Sequence, residues 1–190
     1  MRQGSQQYTP RIAVILPCYN EEATIRQVIE EFSAALPEAE IVVCDNNSSD
    51  RTSEIARAAG ATVLFEAYQG KGNAVRRLFN DVDADVYVMA DGDVTYDAGA
   101  ARGMIDRLLS ERLAMVCGAR VSEEVEAYRF GHKFGNWMLT SLVRLSFGDR
   151  FKDMLTGYRV FSRQFAKSFP ALSNGFEIET ELCVHTLRLR

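Results

Sequence analysis

Histidine is scarce in this 190-residue sequence. His132 and His185 are the only two, and neither stands in a pattern with a serine or cysteine nucleophile, which argues against a hydrolase triad. An excess of positive charge is also missing. Lys+Arg 22 against Asp+Glu 26 leaves a formal net charge of −4. Nothing therefore draws nucleic acid to the chain as a whole, and an anionic ligand must be held by local basic residues. The four cysteines (Cys18, Cys44, Cys117 and Cys183) lack metal-ligand spacing. Three lie in or beside apolar runs, the setting of reduced core thiols in a cytosolic protein. No run approaches the roughly 18 apolar residues of a membrane span. Residues 1–10 are polar with no apolar h-region, so they read as a disordered tail rather than a secretory signal. A GxxxxGK(S/T) phosphate loop is absent, and no GxGxxG follows the first apolar run, which counts against a dinucleotide-binding domain. The rest is ordinary for a globular protein, 47% hydrophobic and 25% charged, and disordered, collagen-like and disulfide-stapled classes are excluded. One domain over residues 11–190 is expected.

Short apolar runs alternate with amphipathic stretches. Residues 12–17 (IAVILP), 41–44 (IVVC), 61–65 (ATVLF), 85–90 (DVYVMA) and 114–118 (AMVCG) each read as a buried strand. Asn20 is placed to cap a helix with Glu21 and Glu22 in its first turn, in which Ile25, Val28, Ile29, Phe32 and Leu36 recur at spacings of three and four. A second helix follows the DNNSSD loop and stops at Gly60. A third opens at Gly70-Lys71-Gly72 and carries Ala74, Val75, Leu78 and Phe79. A fourth, capped by Asp97, buries Met104, Ile105, Leu108 and Leu109. This alternation predicts an α/β domain with a mostly parallel sheet. After Arg120 the rhythm changes. Residues 128–146 read as a long helix with Arg129, Lys133, Asn136, Thr140 and Arg144 on one stripe. Gly148–Gly157 reads as a loop, 158–161 as a short strand and 176–188 as a closing helix. The basic stripe either meets an anionic bilayer surface or lies in water while the other side covers the sheet.

Parallel α/β sheets bind ligands at the carboxyl ends of their strands, where the polar residues of this sequence concentrate. Asp91-Gly92-Asp93 ends the fourth strand. Two carboxylates flanking a glycine can share Mg2+ or Mn2+, hard cations that also coordinate substrate phosphates, and the same triplet also makes a plain turn. Asp45, ending the second strand, reads either as a ribose or base contact or as a turn and capping group. Gly70-Lys71-Gly72 offers backbone N–H groups and one ammonium to an anion. Asp153, Tyr158 and Arg159 surround a loop in which an acid serves as general base, as acceptor-positioning group or as turn former. Glu177, Glu179 and Glu181 suit a helix start and read as mostly structural, with an acceptor-side role left open for Glu177 or Glu179.

Taken in order, Pro17-Cys18-Tyr19-Asn20-Glu21-Glu22, Asp45-Asn46-Asn47-Ser48-Ser49-Asp50, Gly70-Lys71-Gly72-Asn73-Ala74, Asp91-Gly92-Asp93, Gly118-Ala119-Arg120 and Asp153-Met154-Leu155-Thr156-Gly157-Tyr158-Arg159 resemble the family-2 glycosyltransferases of the GT-A fold. The last element and Gly175-Phe176-Glu177-Ile178-Glu179 are similar to the polyprenyl-phosphate, dolichol-phosphate mannosyltransferase-like branch. The resemblance implies a Rossmann-like, mostly parallel central sheet flanked by helices, with a helical acceptor-side extension. Residues 11–120 would hold the nucleotide-sugar and residues 121–190 the acceptor. It implies that Pro17, Tyr19 and Glu21 line the nucleotide pocket, that Asp45 contacts base or ribose, and that Lys71 sits at the nucleotide. Asp91 and Asp93, with Gly92 between them, would bind the metal-diphosphate. Arg120 would face phosphate, with Arg129, Tyr158 and Arg159 on the phosphate or acceptor side. Asp153 matches the position assigned as catalytic base. Two features depart from the family. Asp45-Asn46 replaces its commoner paired acids, and its basic, glycine-containing segment beyond the last helix is missing, so a C-terminal piece used by relatives is expected to be absent.

The expected activity is inverting transfer of a sugar from a UDP- or GDP-sugar, with Mg2+ or Mn2+, to a polyprenyl or dolichyl phosphate. The expected place is the cytoplasm, at the cytoplasmic face of a membrane, in cell-envelope or glycan assembly. The competing expectations are a hydroxyl acceptor on a saccharide or small molecule, and a non-catalytic nucleotide-sugar-binding domain. A sugar-1-phosphate nucleotidyltransferase would carry a glycine-rich basic loop where PCYNEE stands.

Overall fold

The computed structural model describes residues 9–118 and 156–186. In chain order these form β1 (Ile12–Cys18), α1 (Ile25–Ala35), β2 (Glu40–Asp45), α2 (Thr52–Ala58), β3 (Thr62–Phe65), α3 (Lys71–Asp81), β4 (Val86–Met89), α4 (Ala100–Ser110), β5 (Met115–Cys117), β6 (Arg159–Ser162), α5 (Arg163–Ser168) and α6 (Ile178–Thr186). The strands stand in the order β3-β2-β1-β4-β6-β5. The pairs β2–β3, β1–β2 and β1–β4 are parallel, while β6 runs antiparallel to both β4 and β5. The strands β1 to β5 therefore all end on one edge, as the alternating pattern predicts, with one reversed strand inserted among them. Strand β6 starts at that same edge, since Arg159 stands opposite both Met89 and Cys117.

Strand residues alternate between two apolar layers, the period-two consequence of the pleat. Val14, Leu16, Val43, Val86, Val88 and Val160 face α1 and α4, burying Ile25, Val28, Ile29, Phe32, Ile105 and Leu108. Ala13, Ile15, Val42, Tyr87, Met89 and Phe161 face the other way, against Val75, Leu78 and Phe79 of α3, Phe165 of α5 and Leu182 of α6. Both faces being covered is what allows parallel strands to be apolar throughout.

Several details depart from the sequence expectations. Strand β1 does not stop at Pro17. The Ile15 carbonyl accepts from Ala90 N–H on the β4 side. Pro17, two residues on, faces that side beyond the last β1–β4 rung, so its missing N–H costs no ladder bond. Asn20 does not cap α1. It sits at φ 56° while its Oδ1 accepts from Ser49 N–H, and the helix starts only at Ile25. Leu109 is 45% exposed rather than buried. The short α5 had no helical period to announce it, and is started by Ser162, whose hydroxyl accepts from Phe165 N–H. The tail at 1–8, the long helix at 128–146 with its basic stripe, and Leu187 and Leu189 lie outside the described residues. Among the described residues no helix is long and apolar enough to cross a membrane.

Candidate active site

The carboxyl edge of the sheet opens into a cleft of about 420 Å3. Pro17, Tyr19 and Glu21 from the end of β1, Lys71 from the start of α3, and Asp91 and Asp93 from the end of β4 all line it. Buried Gly92 holds the β4 turn down. Its carbonyl accepts from Thr24 Oγ1 at 2.6 Å, and a β-carbon there would lie 2.9 Å from Cys18 Sγ. Val94, next in the turn, has φ 60°. That left-handed conformation costs a β-branched residue on the order of 1–3 kcal/mol, a strain confined to the turn that presents the two carboxylates.

The carboxylates differ in surroundings. Asp91 Oδ1 accepts from Lys71 Nζ at 2.6 Å, and its Oδ2 lies 3.4 Å from the Tyr96 hydroxyl, which itself accepts from Gly157 N–H at 2.8 Å. Asp93 is exposed and, among the described residues, accepts from its own turn at Thr95 N–H. Glu21 accepts from the Thr24 hydroxyl at 3.2 Å. Burial raises the Glu21 pKa. Asp93, Asp91 and Asp50 push the same way, and the Thr24 hydroxyl opposes them. Burial alone would lower the Lys71 pKa, but Glu179 and Asp91 outweigh it and the net shift is upward, so Lys71 is an ammonium at neutral pH. Cys18 on the cleft floor is pushed well up, first by burial and then by Glu21, and stays a thiol. Neither Glu21 nor Asp93 makes an ion pair among the described residues.

A testable consequence follows from Glu21. A glutamate whose pKa is raised by folding favours the folded state only while protonated, and that contribution is lost as pH rises through the folded value. Glu21→Gln should therefore melt above the wild type at pH 7 in metal-free buffer, with the gap closing toward about pH 4. Melting curves across that range check this, and a wild type that melts higher at pH 7 contradicts it.

Other expected site residues lie elsewhere. Asp45 is buried behind the cleft, its carboxylate accepting from Ser48 N–H and the Ser53 hydroxyl. Its neighbour Asn46 lines the cleft instead and ties down the following loop, accepting from Gly70 N–H at 2.7 Å and donating to the Tyr68 carbonyl at 2.8 Å. The backbone amides of Gly70-Lys71-Gly72 are not all open to an anion. Gly70 N–H goes to Asn46 and Gly72 N–H to the Asn174 carbonyl, which leaves the ammonium as the cationic contribution of this segment. Tyr158 is buried, stacked on Tyr96, and donates to the Asp97 carbonyl. Arg159 is fully buried and pairs with Glu179 at 2.8 Å, so it has no surface for a phosphate. Arg120, Arg129 and Asp153 lie outside the described residues. Tyr96 belongs to no motif of the sequence, while Gly157 and Phe176 stand there only as members of longer motifs without a role of their own. Phe176 lines the cleft with its ring 5.9 Å from Lys71 Nζ, and Glu179 meets Lys71 at 2.5 Å.

A family model described as Glycosyl transferase family 2 matches residues 13–169. Protein RfbJ of Shigella flexneri is 52% identical over 123 residues, covering 64% of this chain and 95% of RfbJ. The dolichyl-phosphate hexose transferase of Haloferax volcanii is 32% identical over 153 residues, covering 80% of this chain and 67% of the relative. This chain spans smaller shares, 57% and 43%, of two other Haloferax volcanii glycosyltransferases that it matches. Glucosyl-3-phosphoglycerate synthase of Mycobacterium tuberculosis, solved with Mn2+, UDP-glucose and glycerol 3-phosphate, superposes with a TM-score of 0.79 at 26% identity, over 94% of this chain and 66% of that one. The six-strand sheet flanked by helices is thus a GT-A fold.

Proposed function

The chain belongs to glycosyl transferase family 2, and from that premise we propose that it transfers a sugar from a nucleoside-diphosphate sugar, with inversion, to a phosphate-bearing acceptor. The observation that carries this reading is the charge pattern of the cleft. Glu21 and Asp93 are two carboxylates without ion-pair partners among the described residues, in a cleft whose cation, Lys71, is already engaged. A diphosphate would be repelled there unless a cation came with it. Among the described residues no group of three or more His, Cys, Asp or Glu could hold a metal by itself. Two carboxylates, Asp91 and Asp93, fit Mg2+ or Mn2+, which completes its shell with water and substrate phosphates. When bound, such an ion neutralises charge on the leaving diphosphate. Pro17 and Tyr19 wall the nucleotide, Lys71 adds positive charge beside Asp91, and Asn46 holds the loop that closes this end of the cleft.

The bond from the anomeric carbon to the diphosphate breaks as the acceptor oxygen attacks from the opposite face. A lipid phosphate, the acceptor class in the name of the Haloferax relative, is largely dianionic at neutral pH because its second pKa is about 6. It needs no strong base, and Asp153 then orients it or a cation. A hydroxyl acceptor is the second reading, favoured by the glycerol 3-phosphate beside UDP-glucose in the Mycobacterium structure. It needs Asp153 to take a proton. The two separate on the lipid acceptor. Orientation predicts near-normal transfer in Asp153→Asn and loss in Asp153→Ala, whereas a loss of roughly 10³-fold or more in Asp153→Asn favours base catalysis.

The donor reading is checked by thermal shift with UDP-glucose, GDP-mannose and other sugar nucleotides, with and without Mn2+. A donor at 100 times its Kd should add about 2.7 kcal/mol of stability. Asp93→Ala should remove the Mn2+-dependent part. A shift that is unchanged in Asp93→Ala removes metal bridging, and no shift with any sugar nucleotide removes the donor reading.

A further inference from the structure

Four charged groups from distant parts of the chain are linked in one line, from the cleft wall at Asp91 and Lys71 inward to Glu179 and Arg159. Asp91 Oδ1 meets Lys71 Nζ at 2.6 Å, Lys71 Nζ meets Glu179 Oε1 at 2.5 Å, and Glu179 Oε2 meets an Arg159 guanidinium nitrogen at 2.8 Å. Side-chain exposure falls along it, from 27% at Asp91 through 11% at Lys71 and 6% at Glu179 to 0% at Arg159. Water screens the inner members least, so each charge strongly affects its neighbours. The signs alternate, and the four charges sum to zero.

We propose that Glu179 is a positioning residue that sets how far the Lys71 ammonium neutralises Asp91, and thereby tunes the affinity of the acidic cleft for a divalent cation. The inference rests on the cation-bridged reading above. Lys71 and a cation compete for the same carboxylate. Glu179 offers the ammonium a second, buried counter-charge, so Lys71 can yield Asp91 without being left unpaired. Arg159 occupies Glu179 Oε2 and so keeps Oε1 turned to Lys71. Removing the charge of Glu179 makes the line one unit more positive and disfavours a cation at Asp91. Removing the charge of Lys71 does the reverse.

The test is Mn2+ alone titrated into the full chain, read from loss of the free-ion electron paramagnetic resonance signal. Glu179→Gln should weaken Mn2+ binding about fivefold or more, and Lys71→Gln should tighten it about threefold or more. In the double variant the Glu179→Gln effect should shrink to under about twofold, because its mediator is gone. A merely structural Glu179 would lower the melting temperature and leave the Mn2+ dissociation constant of the folded protein within about twofold of the wild type, and that result overturns the inference. If Glu179→Gln fails to fold, Lys71→Gln decides, and unchanged or weaker Mn2+ binding overturns it. A wild type that binds no Mn2+ by itself defeats this inference, while the metal-bridged reading stands or falls on the Mn2+-dependent thermal shift with a sugar nucleotide. Mn2+ binding that is indifferent to Glu179→Gln defeats this inference alone.

Discussion

Gly157→Ala is expected to lower sugar transfer by roughly 10²-fold while leaving the protein folded. A β-carbon at residue 157 would lie 2.8 Å from Asp91 Cγ and nearer still to Oδ2, with Oδ1 at 2.9 Å. The atoms it would meet belong to the short Asp91 side chain, which is tethered. Asp91 is held at one oxygen by Lys71, and the Gly157 amide is held by the Tyr96 hydroxyl that also approaches Asp91. The carboxylate must therefore rotate off its present position. A displacement of about 1 Å in a positioning group is enough for a loss of this size. The steric origin makes a second prediction within the first. In an Asp91→Ala background the methyl group has room, so Gly157→Ala should add almost nothing to the loss of Mn2+ and sugar-nucleotide binding already present. Transfer within about threefold of the wild type in the single variant would show that Asp91 does not need its present place.

The strands and the helices α1, α3 and α4 were legible because burial and periodicity coincide in them. Val14, Ile15 and Leu16 are wholly buried, and α3 buries Ala74, Val75, Leu78 and Phe79 at helical spacing. The cleft was legible for a topological reason. Parallel strands all end on one edge, so Glu21, Lys71, Asp91 and Asp93 are gathered there by connectivity alone. What stayed hidden depends on pairings that no local pattern encodes. Strand β6 joins the sheet between β4 and β5 although about forty residues separate it from β5, and its direction reverses. Val160, with Tyr158 just before the strand, faces one layer and Phe161 the other. Arg159 lies on the same side as Phe161, where an arginine alone would not be tolerated. It is buried because Glu179, 20 residues away, meets it there. Asp45 was open between a ligand contact and a turn group, since a strand-end acid is polar on paper, and its carboxylate is interior with Ser48 and Ser53 satisfying it.

The second large effect concerns stability and has a sign opposite to helix propensity. Alanine ordinarily stabilises a helix interior over glycine by about 0.5–1 kcal/mol. Gly103, in α4, has nothing within 4 Å of a built β-carbon, so Gly103→Ala should follow that rule. Gly72, in the first turn of α3, should not. A β-carbon there would lie 2.8 Å from the Ser173 carbonyl carbon and closer to its oxygen, and the Gly72 amide donates to the Asn174 carbonyl at 2.9 Å. The opposing chain is clamped. Glu181 accepts from the amides of Leu172 and Ser173, both at 2.9 Å, and the Arg76 guanidinium donates to the Ala171 carbonyl at 2.8 Å. These amides outweigh burial and hold the Glu181 pKa below its usual range, so the clamp is charged at neutral pH. Making room for one methyl group means breaking the Gly72–Asn174 bond and straining the Glu181 pair, together about 2–3 kcal/mol. At roughly 2–4 °C per kcal/mol for a chain of this size, Gly72→Ala should melt about 4–12 °C lower, and Gly103→Ala at or slightly above the wild type. Because the displaced segment leads into Phe176 and Glu179, the same substitution should also weaken Mn2+ binding. A Gly72→Ala protein melting as high as the Gly103→Ala control would show that the 171–174 segment does not pack against α3 in solution.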